Sequence, residues 1–181
     1  FEINRTNFDK NPIILLYGKN DGFQNQVIKE KFADNFRGSI NKYEEAEFIN
    51  NYETVISEIL TKSLFGDAKL IIISRVSDKI TKLIEEIKKE RLEDIKIILK
   101  AGILEKKSKL RSLFEKDKTL ITIPFYDDDA KALTSLVIEF INKNNIKLSR
   151  ESINLIINRA CGNRENLKVE LENIDKLSFL N

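Results

Sequence analysis

Apolar positions along the chain follow two alternating rhythms. Ile13-Ile14-Leu15-Leu16-Tyr17 is a continuous apolar run between Pro12 and Gly18, as expected of a strand buried on both faces. Leu70 to Ile73 and Ile95 to Leu99 repeat the pattern, as does Leu120 to Phe125 with Pro124 near its end. Ser39 to Glu44 predicts a shorter strand. Between these runs the period becomes helical. Phe23, Val27, Ile28, Phe32 and Phe36 predict a helix over Gly22 to Arg37, and Tyr52, Val55, Ile56, Ile59 and Leu60 predict a cleaner one. Asp78 stands where it would cap a helix with inner face Ile80, Leu83, Ile84 and Ile87. Ser108 stands likewise before Leu110, Leu113 and Phe114. Strands alternating with helices predict an α/β fold: a five-stranded parallel sheet covered on both faces, with right-handed crossovers.

After Tyr126 the strand signal stops. Leu133, Leu136, Val137, Phe140 and Ile141 mark one helix. Ser149 caps a second, with Ile153, Ile156, Ile157 and Ala160 inside and Gly162 as its stop. Asn163 caps a third, carrying Leu167, Leu171 and Ile174. Residues 1–126 are therefore expected to form the sheet domain and 127–181 a small three-helix domain. The aspartates 127–129 suit a helix start better than a metal site, and Cys161 reads as a small buried hydrophobe.

Composition narrows the chemistry. Among 181 residues there is no histidine, which removes histidine-based acid–base catalysis and most zinc sites. A single cysteine allows no internal disulfide and fits a reducing cytoplasm. The net charge of +2 does not by itself imply a dedicated DNA-binding protein. No apolar run approaches the ~18 residues of a membrane span. The chain lacks methionine even at position 1 and ends on the apolar stretch Ser178-Phe179-Leu180-Asn181, so it is expected to be a segment of a longer protein.

Gly18-Lys19-Asn20-Asp21-Gly22 lies between a strand and a helix, where a phosphate loop would sit. A working loop reads G-x-x-x-x-G-K-S/T: backbone amides cradle phosphate, the lysine reaches it and the hydroxyl holds Mg²⁺. Here the second glycine comes one residue early, Phe23-Gln24-Asn25 follows instead of a Lys-Ser/Thr pair, and Asp21 brings a negative charge. The third strand ends in Ser74-Arg75, a cation where a metal-holding carboxylate belongs. The residues therefore read as NTPase architecture without hydrolysis. Glycines serving a plain strand-to-helix turn are favoured over an unusual phosphate loop.

Leu15 to Gly22, Ser63 to Leu70, Leu104 to Arg111, Pro124 to Asp129 and Asn163-Arg164-Glu165-Asn166-Leu167, taken in order and spacing, resemble the delta subunit of the bacterial DNA polymerase III clamp loader. The resemblance implies an AAA+-like first domain with a degenerate nucleotide site and a helical lid, and therefore no cofactor. The collar domain that follows in the family would be missing from this chain. The partners implied are the beta sliding clamp, the tau/gamma and delta-prime subunits and, weakly or indirectly, primer-template DNA. ATP would be hydrolysed by other subunits.

In the family a Leu-Phe pair after the second helix contacts the clamp; here it is Leu64-Phe65. The residues alone leave two readings. Leu64 continues the stripe from Leu60 while Phe65 tucks onto the sheet, or both stand out as a plug; the resemblance favours the plug. Lys100, Lys106, Lys107, Lys109 and Arg111 form the densest basic stretch. It reads as a solvated helix face, with DNA or subunit contact as the sharper alternative. Arg164 opens the third lid helix, where active AAA+ proteins place a phosphate-sensing arginine; without a working loop, a salt bridge is favoured. Two other identities stay open: an active P-loop or AAA+ ATPase, and a non-replicative AAA+-shaped scaffold.

Overall fold

The computed structural model describes residues 11–60 and 68–178. The chain divides into two compact units, Phe1–Gly18 with Gln26–Phe125 and Lys19–Asn25 with Tyr126–Asn181. The short segment 19–25 thus groups with the C-terminal helices.

In the first unit five parallel strands, β1 (Ile13–Gly18), β2 (Gly38–Glu44), β3 (Ala68–Ser74), β4 (Ile95–Ala101) and β5 (Ile121–Phe125), lie in the order β2-β3-β4-β1-β5. The apolar runs are continuous because the inner strands are buried on both faces. Ile13, Leu15, Ile71, Ile73, Ile97 and Leu99 share one core with Phe48, Val55, Ile84 and Phe114. These last four belong to α2 (Glu45–Asn50), α3 (Tyr52–Leu60), α4 (Thr81–Ile87) and α5 (Lys109–Lys116). The alternate strand residues Ile14, Leu16, Leu70 and Ile98 are equally buried. Strand β2, at the sheet edge, is mostly exposed, as its polar sequence requires.

In this unit three local expectations need correction. The helix expected over Gly22 to Arg37 is α1 (Asp21–Val27) followed by a π-helical turn Ile28–Ala33, and it stops at Ala33. The strand that follows opens at Gly38, which sits at φ 152° and where a Cβ would lie 2.0 Å from the Ala68 carbonyl oxygen and 3.0 Å from the Phe36 ring. Phe36 thus covers the strand entrance instead of extending the helix. Helix α2 is absent from the sequence expectation, because Asn51 separates its buried Phe48 from the stripe that starts at Tyr52. Its first residue, Glu45, is buried and accepts from the Ser77 amide (2.6 Å) and hydroxyl.

The third correction concerns Asp78. The cap of its own turn, the 3-10 segment Asp78–Ile80, is Ser77, whose hydroxyl accepts from the Lys79 amide. Asp78 instead reaches α5: it accepts from the Ser108 hydroxyl (2.6 Å) and the Leu110 amide (3.0 Å). Ser108 meanwhile caps α5 by accepting from the Arg111 amide. The hydrogen bond from Ser108, then that from Leu110, holds the Asp78 carboxyl below its ordinary pKa.

In the second unit α6 (Ala130–Lys143), α7 (Arg150–Ala160) and α8 (Arg164–Ser178) pack around Leu133, Val137, Ile156, Ala160, Leu167 and Leu171. Each start is capped by a side chain. Asp129 accepts from the Ala132 amide and Ser149 from the Ser152 amide, while Asn163 accepts from the Glu165 and Asn166 amides. Cys161 is exposed, contrary to expectation. It takes a left-handed conformation at φ 49°, followed by Gly162 at φ 75°, and this reversal turns the thiol out of the helical packing. No helix of the described residues is long and apolar enough to cross a membrane.

Candidate functional site

Strand β1 ends at Gly18, whose φ of 136° and closeness to β5 admit no side chain: a Cβ would lie 2.0 Å from the Phe125 carbonyl oxygen. The next residues are those expected to form a degenerate phosphate loop. Asn20 is 4% exposed and works in two directions. Its Oδ1 accepts from the Phe23 amide (3.1 Å), which fixes the start of α1. Its Nδ2 donates to Asp128 Oδ2 (2.8 Å) and to the Tyr126 carbonyl (3.1 Å).

Asp128 is the hub of this cluster. Arg164 grips it with both edges of its fork, Nε to Oδ2 at 2.6 Å and Nη2 to Oδ1 at 2.8 Å. The Asp128 side chain is 6% exposed and that of Arg164 is 16%. The guanidinium also lies over the Phe23 ring, 3.7 Å from its centroid. Around the pair, Lys19 bonds Asp127 at 3.3 Å on the surface, and Asp21 accepts from Asn25. Gly22 packs on the start of α8, where a Cβ would lie 3.1 Å from both the backbone nitrogen and Oε2 of Glu165.

The other candidate residues disperse. Arg75, at the end of β3, is exposed and pairs with Glu44 at 3.1 Å. Arg111 is held within the first unit by Glu115 (2.7 Å) and the Leu104 carbonyl (3.2 Å), and lies over the Tyr17 ring. Lys106 is exposed, and Lys107 pairs with Glu105 on the surface. Leu64 and Phe65 lie outside the described residues, between the end of α3 and the start of β3. Among the described residues no group of three or more histidine, cysteine, aspartate or glutamate residues is arranged to hold a metal.

Two lysines of the basic stretch belong to a larger cluster of cations than the sequence reveals. Lys107 and Lys109 line an open groove of ≈ 890 Å³ in the first unit, together with Lys79, Lys82, Lys88, Lys116 and Lys118. Seven lysines face three carboxylates there, Asp78, Glu85 and Asp117. Asp78 is committed to the start of α5, and Asp117 bonds Lys88 at 2.7 Å. The Lys88 bond, then those from Thr119, keep the Asp117 carboxyl far below its ordinary pKa. The signal in the sequence is the spacing of Lys109 and Lys116, seven apart on one helix; the lysines of α4 and the turn before it come together with them only in three dimensions.

No protein-family model matches the chain, and no curated relative is found for it. Solved structures do resemble it. The Bacillus subtilis DNA clamp loader delta protein superposes with a TM-score of 0.56 at 13% identity, over 97% of this chain and 56% of that one. The replication initiator DnaA bound to AMPPCP and single-stranded DNA gives 0.58 at 17% identity, over 91% of this chain and 55% of its own. A variant of Thermotoga maritima RuvB gives 0.59 at 12%, over 92% and 55%. The chain spans little more than half the length of each. Its fold is the one shared by the clamp loader delta protein and these AAA+ proteins: a parallel sheet with helices, followed by a helical unit.

Proposed function

We propose that this chain is the sheet-and-lid portion of a delta-type clamp-loader subunit, which binds a beta sliding clamp through Leu64 and Phe65 and does not hydrolyse nucleotide. The observation that carries this reading is the state of the loop after β1. In a body of AAA+ shape, the residues at the phosphate position are engaged with one another: Arg164 with Asp128, Asn20 with both Asp128 and the Phe23 amide. Nucleotide turnover then falls to other subunits, tau/gamma among them, while this chain contributes a docking surface. The lysine groove supports contact with the phosphates of primer-template DNA.

The clamp contact enters through the resemblance. Burying a leucine and a phenylalanine in a partner pocket yields roughly 3–6 kcal/mol together, or about two to four decades in affinity. A two-residue plug is therefore strong enough to act as a hot spot. A clamp conformation that accepts the plug but disfavours the closed ring interface would shift the ring toward open. The test is binding of the purified chain to a bacterial beta clamp, wild type against Leu64→Ala/Phe65→Ala. A loss of at least about a hundredfold is expected, with circular dichroism unchanged. Equal affinity in a folded variant removes the plug. Titration with ATP-Mg²⁺ separates the alternative: micromolar binding would make the chain an active P-loop protein.

A further inference from the structure

We infer that Asp128 is the resident anion of a phosphate-type site. Its carboxylate fills the place that Arg164 and Asn20 would otherwise offer to a phosphoryl group, and so joins segment 19–25 to the C-terminal helices without any nucleotide.

Three donors converge on this one carboxylate. Arg164 supplies two, from Nε and Nη2, and Asn20 supplies the third, from Nδ2, all at 2.6–2.8 Å. A guanidinium fork completed by an amide N–H suits any compact oxyanion, because carboxylate and phosphate present the same pair of acceptor oxygens. The fork is fixed before any ligand arrives. Phe23 underlies the guanidinium at 3.7 Å, and Asn20 is held by its bond to the Phe23 amide and by its burial. Such a rigid, desolvated donor set has to hold an anion, since a guanidinium buried to this degree without a partner is costly. Asp128 is that anion, supplied by the chain itself at 6% exposure.

The surrounding charges point the same way. Among the described residues, Asp21, Asp127 and Glu165 bring further carboxylates to the loop and its contacts, and Lys19 is already paired with Asp127. An incoming polyphosphate would meet these carboxylates and an occupied fork. Gly22, which would have to leave room beside the loop, already packs against Glu165. Asp128 therefore does two jobs: it excludes phosphate, and it makes permanent a connection that a bound phosphate would make only when present.

The inference does not depend on clamp binding, and its test uses no clamp. The purified chain, its Asp128→Ala variant and the Asp128→Ala/Arg164→Ala double variant are melted in chloride-poor buffer with increasing formate or inorganic phosphate. Wild type is expected to show no saturable shift with either anion. Asp128→Ala is expected to melt lower and to be raised saturably by both, and the double variant is expected to lose that response. If Asp128→Ala is unfolded in buffer alone, the same titration is followed as anion-dependent recovery of helical circular dichroism. The inference is overturned by a variant that no anion stabilises, or by an anion response that survives loss of Arg164. It is also overturned by a response to formate without phosphate, which reduces the pocket to a carboxylate hole. An equal, Arg164-dependent phosphate response in wild type overturns the idea of a filled site.

Discussion

The interior of the sheet and the cluster around Asp128 achieve order by opposite means. In the sheet, Ile14, Leu15, Leu16, Ile71 and Leu99 are essentially fully buried and carry no polar side-chain atom that needs a partner. Their stability comes from apolar area removed from water, which is undirected and tolerant of volume-conserving change. In the cluster, Asn20, Asp128 and Arg164 are polar groups largely withdrawn from water, acceptable only because Asn20 and Arg164 both donate to Asp128. The first region depends on bulk and shape. The second depends on one carboxylate being present. The difference teaches where to look for function: the cluster spends its buried charge on itself, whereas the sheet interior spends none.

Four measurements bear on that contrast. The largest expected effect is in the sheet core, where Phe48→Ala removes a fully buried ring and is expected to cost about 3–5 kcal/mol in chemical denaturation. A loss under about 1 kcal/mol would show that α2 is not integral to the core. Next comes the cluster. Arg164→Met alone strands a buried carboxylate and is expected to cost about 3 kcal/mol. Joined with Asp128→Leu, it is expected to return to within about 1 kcal/mol of wild type, because two apolar groups leave no charge to satisfy. Additive losses in the same denaturation series would refute the coupling.

The third measurement moves to the groove. Replacing Lys82, Lys109 and Lys116 with alanine is expected to leave the melting temperature nearly unchanged. It is expected to flatten the dependence of duplex binding on log salt by about 3, near one unit for each phosphate no longer neutralised. An unchanged slope assigns those lysines to solvent alone.

The smallest effect is in pH dependence. Asp78 and Asp117 have folded pKa values below their unfolded values, so they contribute stability above the unfolded carboxylate range, near 4. That contribution is lost as pH falls through the folded values. Asp78→Asn and Asp117→Asn are therefore expected to lower stability at neutral pH and to approach wild type in acid. Melting curves from neutral pH down to about pH 2 decide it, and a deficit constant with pH would contradict the assignment.

Much of this architecture is legible in the residues alone. The strand runs at 13–17 and 70–73, and Ile97-Ile98-Leu99 in the fourth run, are too apolar to be anything but doubly buried, and they are. Ser108, Ser149 and Asn163 cap the helices they precede, because capping is a local interaction between a side chain and amides two or three residues on. The departures fall where a distant or conformational effect wins the competition. Asp78 leaves its own turn for Ser108 and Leu110, about thirty residues away. Phe36 packs over Gly38 instead of extending a helix, and Cys161 is turned outward by the left-handed step into Gly162.

By itself, then, the chain's order of residues determined the parallel sheet and the helical unit, because burial period and capping motifs are local properties. Only the tertiary structure decided that Asp128 sits in the grip of Arg164 and Asn20, and that lysines from separate helices share one groove. The physical reason is that ion pairs and hydrogen bonds between residues 36 and 108 positions apart leave no trace in sequence period. They exist once the apolar framework has closed and the buried charges must find partners.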